Sequence, residues 1–80
     1  MGVHDKDVYD EIRELLQIPE DEPIFILRAQ DDCSPGTLSD YLANAKDNGT
    51  SEDFQKEIVD VIMDFAAWRH QNESSCKTPD

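Results

Sequence analysis

Arg28 is one of only seven basic residues in a chain with nineteen acidic ones, and it directly follows Ile24, Phe25, Ile26 and Leu27. A guanidinium is a planar five-donor fork suited to carboxylate or phosphate, and Gln30 can both donate and accept. If residues 24–30 are extended, Ile24, Ile26, Arg28 and Gln30 share one face. Asp31 follows, and Ser34-Pro35-Gly36 opens a helix whose amino end favours an anion. Arg28, Gln30, Asp31 and Ser34 are therefore a candidate site for a small anion or nucleotide. The competing reading, which we prefer, is an ion pair from Arg28 to Asp31 or to a carboxylate of the first helix.

Signals for catalysis are sparse. His4 and His70 stand apart, and the chain has no His-x-x-x-His, no Gly-rich phosphate loop and no Gly-x-Ser-x-Gly. Asp31 and Asp32 with Asp21 or Glu22 could hold a divalent cation, but the spacing of an EF-hand loop is absent. Cys33 is a thiol with no evident base, and Cys76 is distant in sequence, so both are expected to be reduced. The expectation is a protein without catalytic residues, cofactor or metal.

Carboxylates are the more abundant resource. Asp7, Asp10, Glu11 and Glu14 recur at helical spacing, as do Asp53, Glu57, Asp60 and Asp64. Like charges in such rows mildly destabilise a helix. A row of this kind can occupy the Lys/Arg groove of a basic protein by resembling a phosphate backbone. The plainer alternative is a solvated face on an acidic protein. The net charge of −12 argues against direct nucleic-acid binding and against anionic membranes.

The elements that must position these groups are mostly helices. A first helix is expected from about Asp5 to Gln17, with Val8, Ile12, Leu15 and Leu16 on one face and Pro19 ending it. Residues 24–30 read as a short strand between Pro23 and a turn-rich loop. A helical start at Glu22-Pro23 is the alternative. Ser34 as N-cap and Pro35 at the first turn open a second helix, which Asn48-Gly49 stops. Thr50 or Ser51 caps the third, reaching about Gln71. Residues 1–72 form one small domain, and 73–80 read as a flexible tail.

On the third helix, Phe54, Ile58, Val61, Phe65 and Trp68 make one apolar face, Ile62 and Ala66 extend it, and Val59 and Met63 carry it round. The apolar arc spans about 220°, against a stripe of somewhat over 100° on an ordinary surface helix. Either the rest of the monomer wraps it, or a partner covers part of it. A lone strand also needs a partner for its backbone groups. The two features together favour a homodimer through Ile24, Ile26, Val59, Met63 and Ala66. The fold class expected is mainly α (α+β): helix, short strand, then two helices, with the strand paired across the dimer.

The run Glu22-Pro23-Ile24-Phe25-Ile26-Leu27-Arg28-Ala29-Gln30-Asp31, then a short loop and an amphipathic helix, resembles a group of small uncharacterised phage and prophage proteins. The resemblance covers residues 18–45 and departs at Tyr41, where the group tends to carry tryptophan. It implies a phage protein acting in the host cytoplasm. The leading expectation is a non-enzymatic inhibitor that binds a basic host or anti-phage defence protein through its acidic helix faces. A homo-oligomer sequestering a nucleotide-like ligand through Arg28 and Gln30 is the second, and a virion-assembly component the third.

Overall fold

The computed structural model describes the backbone of residues 6–78 and the side chains of residues 9–78. Three helices order the chain: α1 (Lys6–Leu16), α2 (Ser34–Asp47) and α3 (Glu52–Gln71), followed by one 3-10 turn (Glu73–Ser75). Asp5, the expected start of the first helix, which can cap its amino end, lies outside the described residues. No described helix is long and apolar enough to cross a membrane.

Each boundary has a local cause. At the end of α1, Ile18 N–H reaches the Arg13 carbonyl (2.8 Å) and Gln17 N–H reaches Glu14 (3.3 Å). This six-to-one and five-to-two closure needs a left-handed residue, which glycine usually supplies. Here Gln17 does so, at φ 58°. α2 ends in the same closure with Gly49 at φ 70°, Thr50 N–H reaching the Ala45 carbonyl. The Thr50 hydroxyl also donates to Ala45 (2.9 Å), and the Gln55 amide donates to the Thr50 carbonyl (2.9 Å). Thr50 thus ties the end of α2 to the start of α3. Ser51 caps α3, its hydroxyl accepting from Phe54 N–H at 3.1 Å.

The start of α2 differs from expectation by one residue. Cys33 is the N-cap in helical geometry, and Ser34 already lies within the helix. The reason is a turn wound beforehand by Asp31. Its carboxylate accepts the Cys33 N–H (2.7 Å), while its carbonyl accepts both the N–H (2.9 Å) and the hydroxyl (2.8 Å) of Ser34.

The strand expected at residues 24–30 does not form among the described residues. Residues 23–28 belong to neither helix nor sheet, and Ala29-Gln30 is a turn. The Ile26 N–H is taken by the Tyr9 hydroxyl at 3.1 Å instead of a sheet neighbour. Pairing begins only at Asp31, which makes an isolated parallel bridge with Lys77. Asp32 N–H donates to the Lys77 carbonyl and Lys77 N–H to Gln30, both at 2.9 Å. The tail expected from Glu73 is therefore not free of contacts as far as Thr78.

α2 and α3 are the helix pair in close backbone contact, and α1 comes that close to neither among the described residues. The buried apolar residues are few: Tyr9, Ala45 and Ile58. The molecule is a flattened body of 36 × 32 × 18 Å.

Two substitutions test these boundaries. Gln17→Gly removes the cost of a left-handed non-glycine residue and should stabilise by about 0.5–1 kcal/mol. Ser51→Ala removes a cap and should cost about 1 kcal/mol. Urea unfolding followed by circular dichroism reads both shifts.

Candidate functional site

Arginine does hold the connector between α1 and α2 (residues 17–33) in place, but through Arg69. Its Nη1 donates to the carbonyls of Ala29 (2.9 Å) and Asp31 (3.0 Å), and its Nη2 to Asp32 Oδ1 (2.9 Å). The planar fork thus clamps the last turn of α3 to the turn that launches α2, a geometry lysine cannot reproduce. The hydrogen bond to Asp32 is the first cause that pushes the guanidinium to hold its proton still more firmly; desolvation opposes it. Nothing in the sequence spacing marks this role, because two of the three acceptors are backbone carbonyls about forty residues away.

Arg28 is exposed and makes neither hydrogen bond nor ion pair through its side chain among the described residues, so the expected pairing with Asp31 or with α1 is not formed. Two other members of the anion site have their polar groups committed elsewhere. Ser34 is wholly buried with its hydroxyl spent on the Asp31 carbonyl. The Asp31 carboxylate is spent on Cys33 N–H, and Gln30 is half-buried.

Cys33 is exposed, and its thiol is pushed up from the ordinary value, first by the Asp31 charge and then by desolvation, the hydrogen bond to Asp31, and Asp32. Such a thiol stays protonated at neutral pH and is a poor nucleophile. Cys76 is also free, its Sγ resting 3.5 Å from the Asn72 carbonyl. No group of three or more His, Cys, Asp or Glu among the described residues is placed to hold a metal ion, Asp21, Glu22, Asp31 and Asp32 included.

The acidic rows fare differently. Asp10, Glu11 and Glu14 of α1 are exposed, with Asp10 paired to Arg13 at 3.1 Å; the side chain of Asp7 lies outside the described ones. On α3, Asp53, Glu57, Asp60 and Asp64 are all exposed, and none joins an ion pair among the described residues. This wedge runs between two apolar flanks. On one side Phe54, Val61 and Trp68 are 38%, 41% and 39% exposed, with Tyr41 of α2 edge-on to Phe54 at 6.5 Å. On the other side stand Val59, Met63 and Ala66, all exposed. Ile26 is exposed on the connector and Ile24 half-buried. The expected interface residues of α3 therefore share an open flank.

The chain matches no protein-family model, no curated protein and no solved structure. What the chain does must be argued from its own surface.

Arg69→Ala and Arg69→Lys should both lower the thermal midpoint, whereas Arg28→Ala should leave it unchanged. Equal effects would contradict the clamp. Alkylation of Cys33 by iodoacetamide at pH 8, read site by site by mass spectrometry, should accelerate in Asp31→Asn, because the main charge holding the thiol protonated is gone.

Proposed function

We propose that this is a small, non-enzymatic binding protein that captures a basic protein partner on the outer face of α3. The observation that carries this reading is the wedge of Asp53, Glu57, Asp60 and Asp64. These carboxylates are exposed, unpaired among the described residues and flanked by exposed apolar side chains. Charges bring a partner in and set its orientation, while apolar neighbours supply the area that leaves water.

The resemblance of residues 22–31 to small phage proteins makes the partner a host or anti-phage defence protein in the host cytoplasm, inhibited by occupation of its nucleic-acid groove. The binding unit in this reading is a homodimer, because the Val59, Met63 and Ala66 flank and the aromatic flank are both left open in one chain. A second reading, a ligand-sequestering oligomer, is favoured only by the uncommitted guanidinium of Arg28. Asp31 and Ser34 are already engaged.

Replacing Asp53, Glu57, Asp60 and Asp64 by their amides tests the leading reading. Exposed ion pairs contribute about 0.2–1 kcal/mol each, so affinity for a partner captured from bacterial lysate should fall about four- to several-hundred-fold. Binding of the unmodified protein should also weaken with salt. A partner held equally by the amide variant, and equally at high salt, would overturn it.

A further inference from the structure

Residues 76–78 give the connector a second hold besides Arg69. The 3-10 turn Glu73–Ser75 is closed by Ser75 N–H on the Asn72 carbonyl (2.9 Å) and Cys76 N–H on the Glu73 carbonyl (3.2 Å). Cys76 leaves that turn in extended geometry, at φ −79° and ψ 135°. Lys77 then lies beside Asp31, its N–H donating to the Gln30 carbonyl and its carbonyl accepting Asp32 N–H, both at 2.9 Å. The Thr78 hydroxyl donates to Asp32 Oδ2 at 3.4 Å.

The two holds interlock. Three successive carbonyls are taken in turn: Ala29 by Arg69, Gln30 by Lys77 and Asp31 by Arg69 again. The Asp32 carboxylate joins the holds, since one oxygen accepts from Arg69 (2.9 Å) and the other from Thr78. Arg69 alone would leave the Gln30 carbonyl and the Asp32 N–H to water. Upstream, α1 is tied to the same connector. The Tyr9 hydroxyl accepts from Ile26 N–H at 3.1 Å, and Arg13 Nε donates to the Glu22 carbonyl at 2.9 Å. α2 and α3 are joined differently, by close backbone contact and by Thr50 at their junction.

We propose that residues 76–78 are a strap: with Arg69 they close the connector onto the α2–α3 pair, and when the strap is released α1 and the connector open together as one unit. Hydrogen bonds of this kind each contribute little, so a region fastened by a few of them opens before the helix pair does. The exposed Asp10, Glu11 and Glu14 of α1 keep a fixed station relative to the α3 wedge only while the strap is closed. The device involves no partner molecule and stands apart from the binding reading above.

Lys77→Pro in the full chain tests the strap through the backbone. It deletes the N–H that donates to Gln30, and Cys76 already has the extended geometry that a following proline requires. Lys77→Ala keeps the N–H and is the control. The readout is amide hydrogen exchange resolved by NMR. Loss of the two strap hydrogen bonds should raise the population of the open state about five- to 150-fold. Exchange at Asp32 should accelerate by that factor in Lys77→Pro, and Ile26, bonded to Tyr9 and not to the strap, should accelerate with it. Ile58 and Ile62 within α3 should keep their rates, and Lys77→Ala should match the unmodified chain throughout. Arg69→Lys should reproduce the pattern by loosening the other hold. Unchanged rates, or acceleration confined to Asp32, would overturn the strap. So would equal acceleration across α3, a Lys77→Pro chain that does not fold, or the same pattern in Lys77→Ala.

Discussion

Scarcity of buried apolar surface governs this structure. Tyr9, Ala45 and Ile58 are the apolar side chains buried among the described residues. A domain of 80 residues is already near the size at which a single core barely offsets the entropy of ordering the chain. What holds the described elements in register is therefore largely polar and local. Two left-handed helix closures, the Thr50 bridge, the Ser51 cap and the Asp31 turn fix the elements, and Arg69 fixes the connector to α3. Hydrogen bonds of this kind specify geometry, but each adds little net stability.

That division of labour bears on function. The parts fixed by polar contacts present an α3 whose outward side is unoccupied: carboxylates in the middle, apolar residues on each margin. A chain that spent its apolar residues on its own core would not have two such margins. The proposed dimer and the acidic-wedge proposal divide this surface between them. In the proposed dimer the apolar margins meet a second copy, and the carboxylates remain for the proposed basic partner. Opposite salt dependences separate the two associations, because one opposes like charges and the other joins unlike ones.

The helices were legible because their determinants are local. Apolar spacing located all three, and Asn48-Gly49 and Ser51 marked the α2–α3 junction within the segment that forms it. Ser34 was misread by one position because the deciding group, the Asp31 carboxylate, sits three residues upstream and competes for the same turn. The apolar run Ile24–Leu27 carried a strand's composition, but a strand exists only where a neighbour offers its backbone. In this chain Tyr9 takes the Ile26 N–H instead. The role of Arg69 leaves no trace in the pattern, because two of its three acceptors are backbone carbonyls about forty residues away, whereas Arg28 stands beside residues of polar type that suggest a site. The apolar arc of α3 left two outcomes open, coverage by the same chain or by a partner, and the described structure leaves both flanks partly exposed.

The central claim is that one chain is half of the stable unit, and its most direct test is unfolding by denaturant at two protein concentrations a hundredfold apart. If folding requires a second copy, the midpoint rises with concentration, as mass action demands for a dimer whose separated chains are not stably folded. A hundredfold change in concentration corresponds to about 2.7 kcal/mol at 25 °C. Midpoints that coincide at both concentrations would show that the three-helix chain is stable by itself, and would contradict the account.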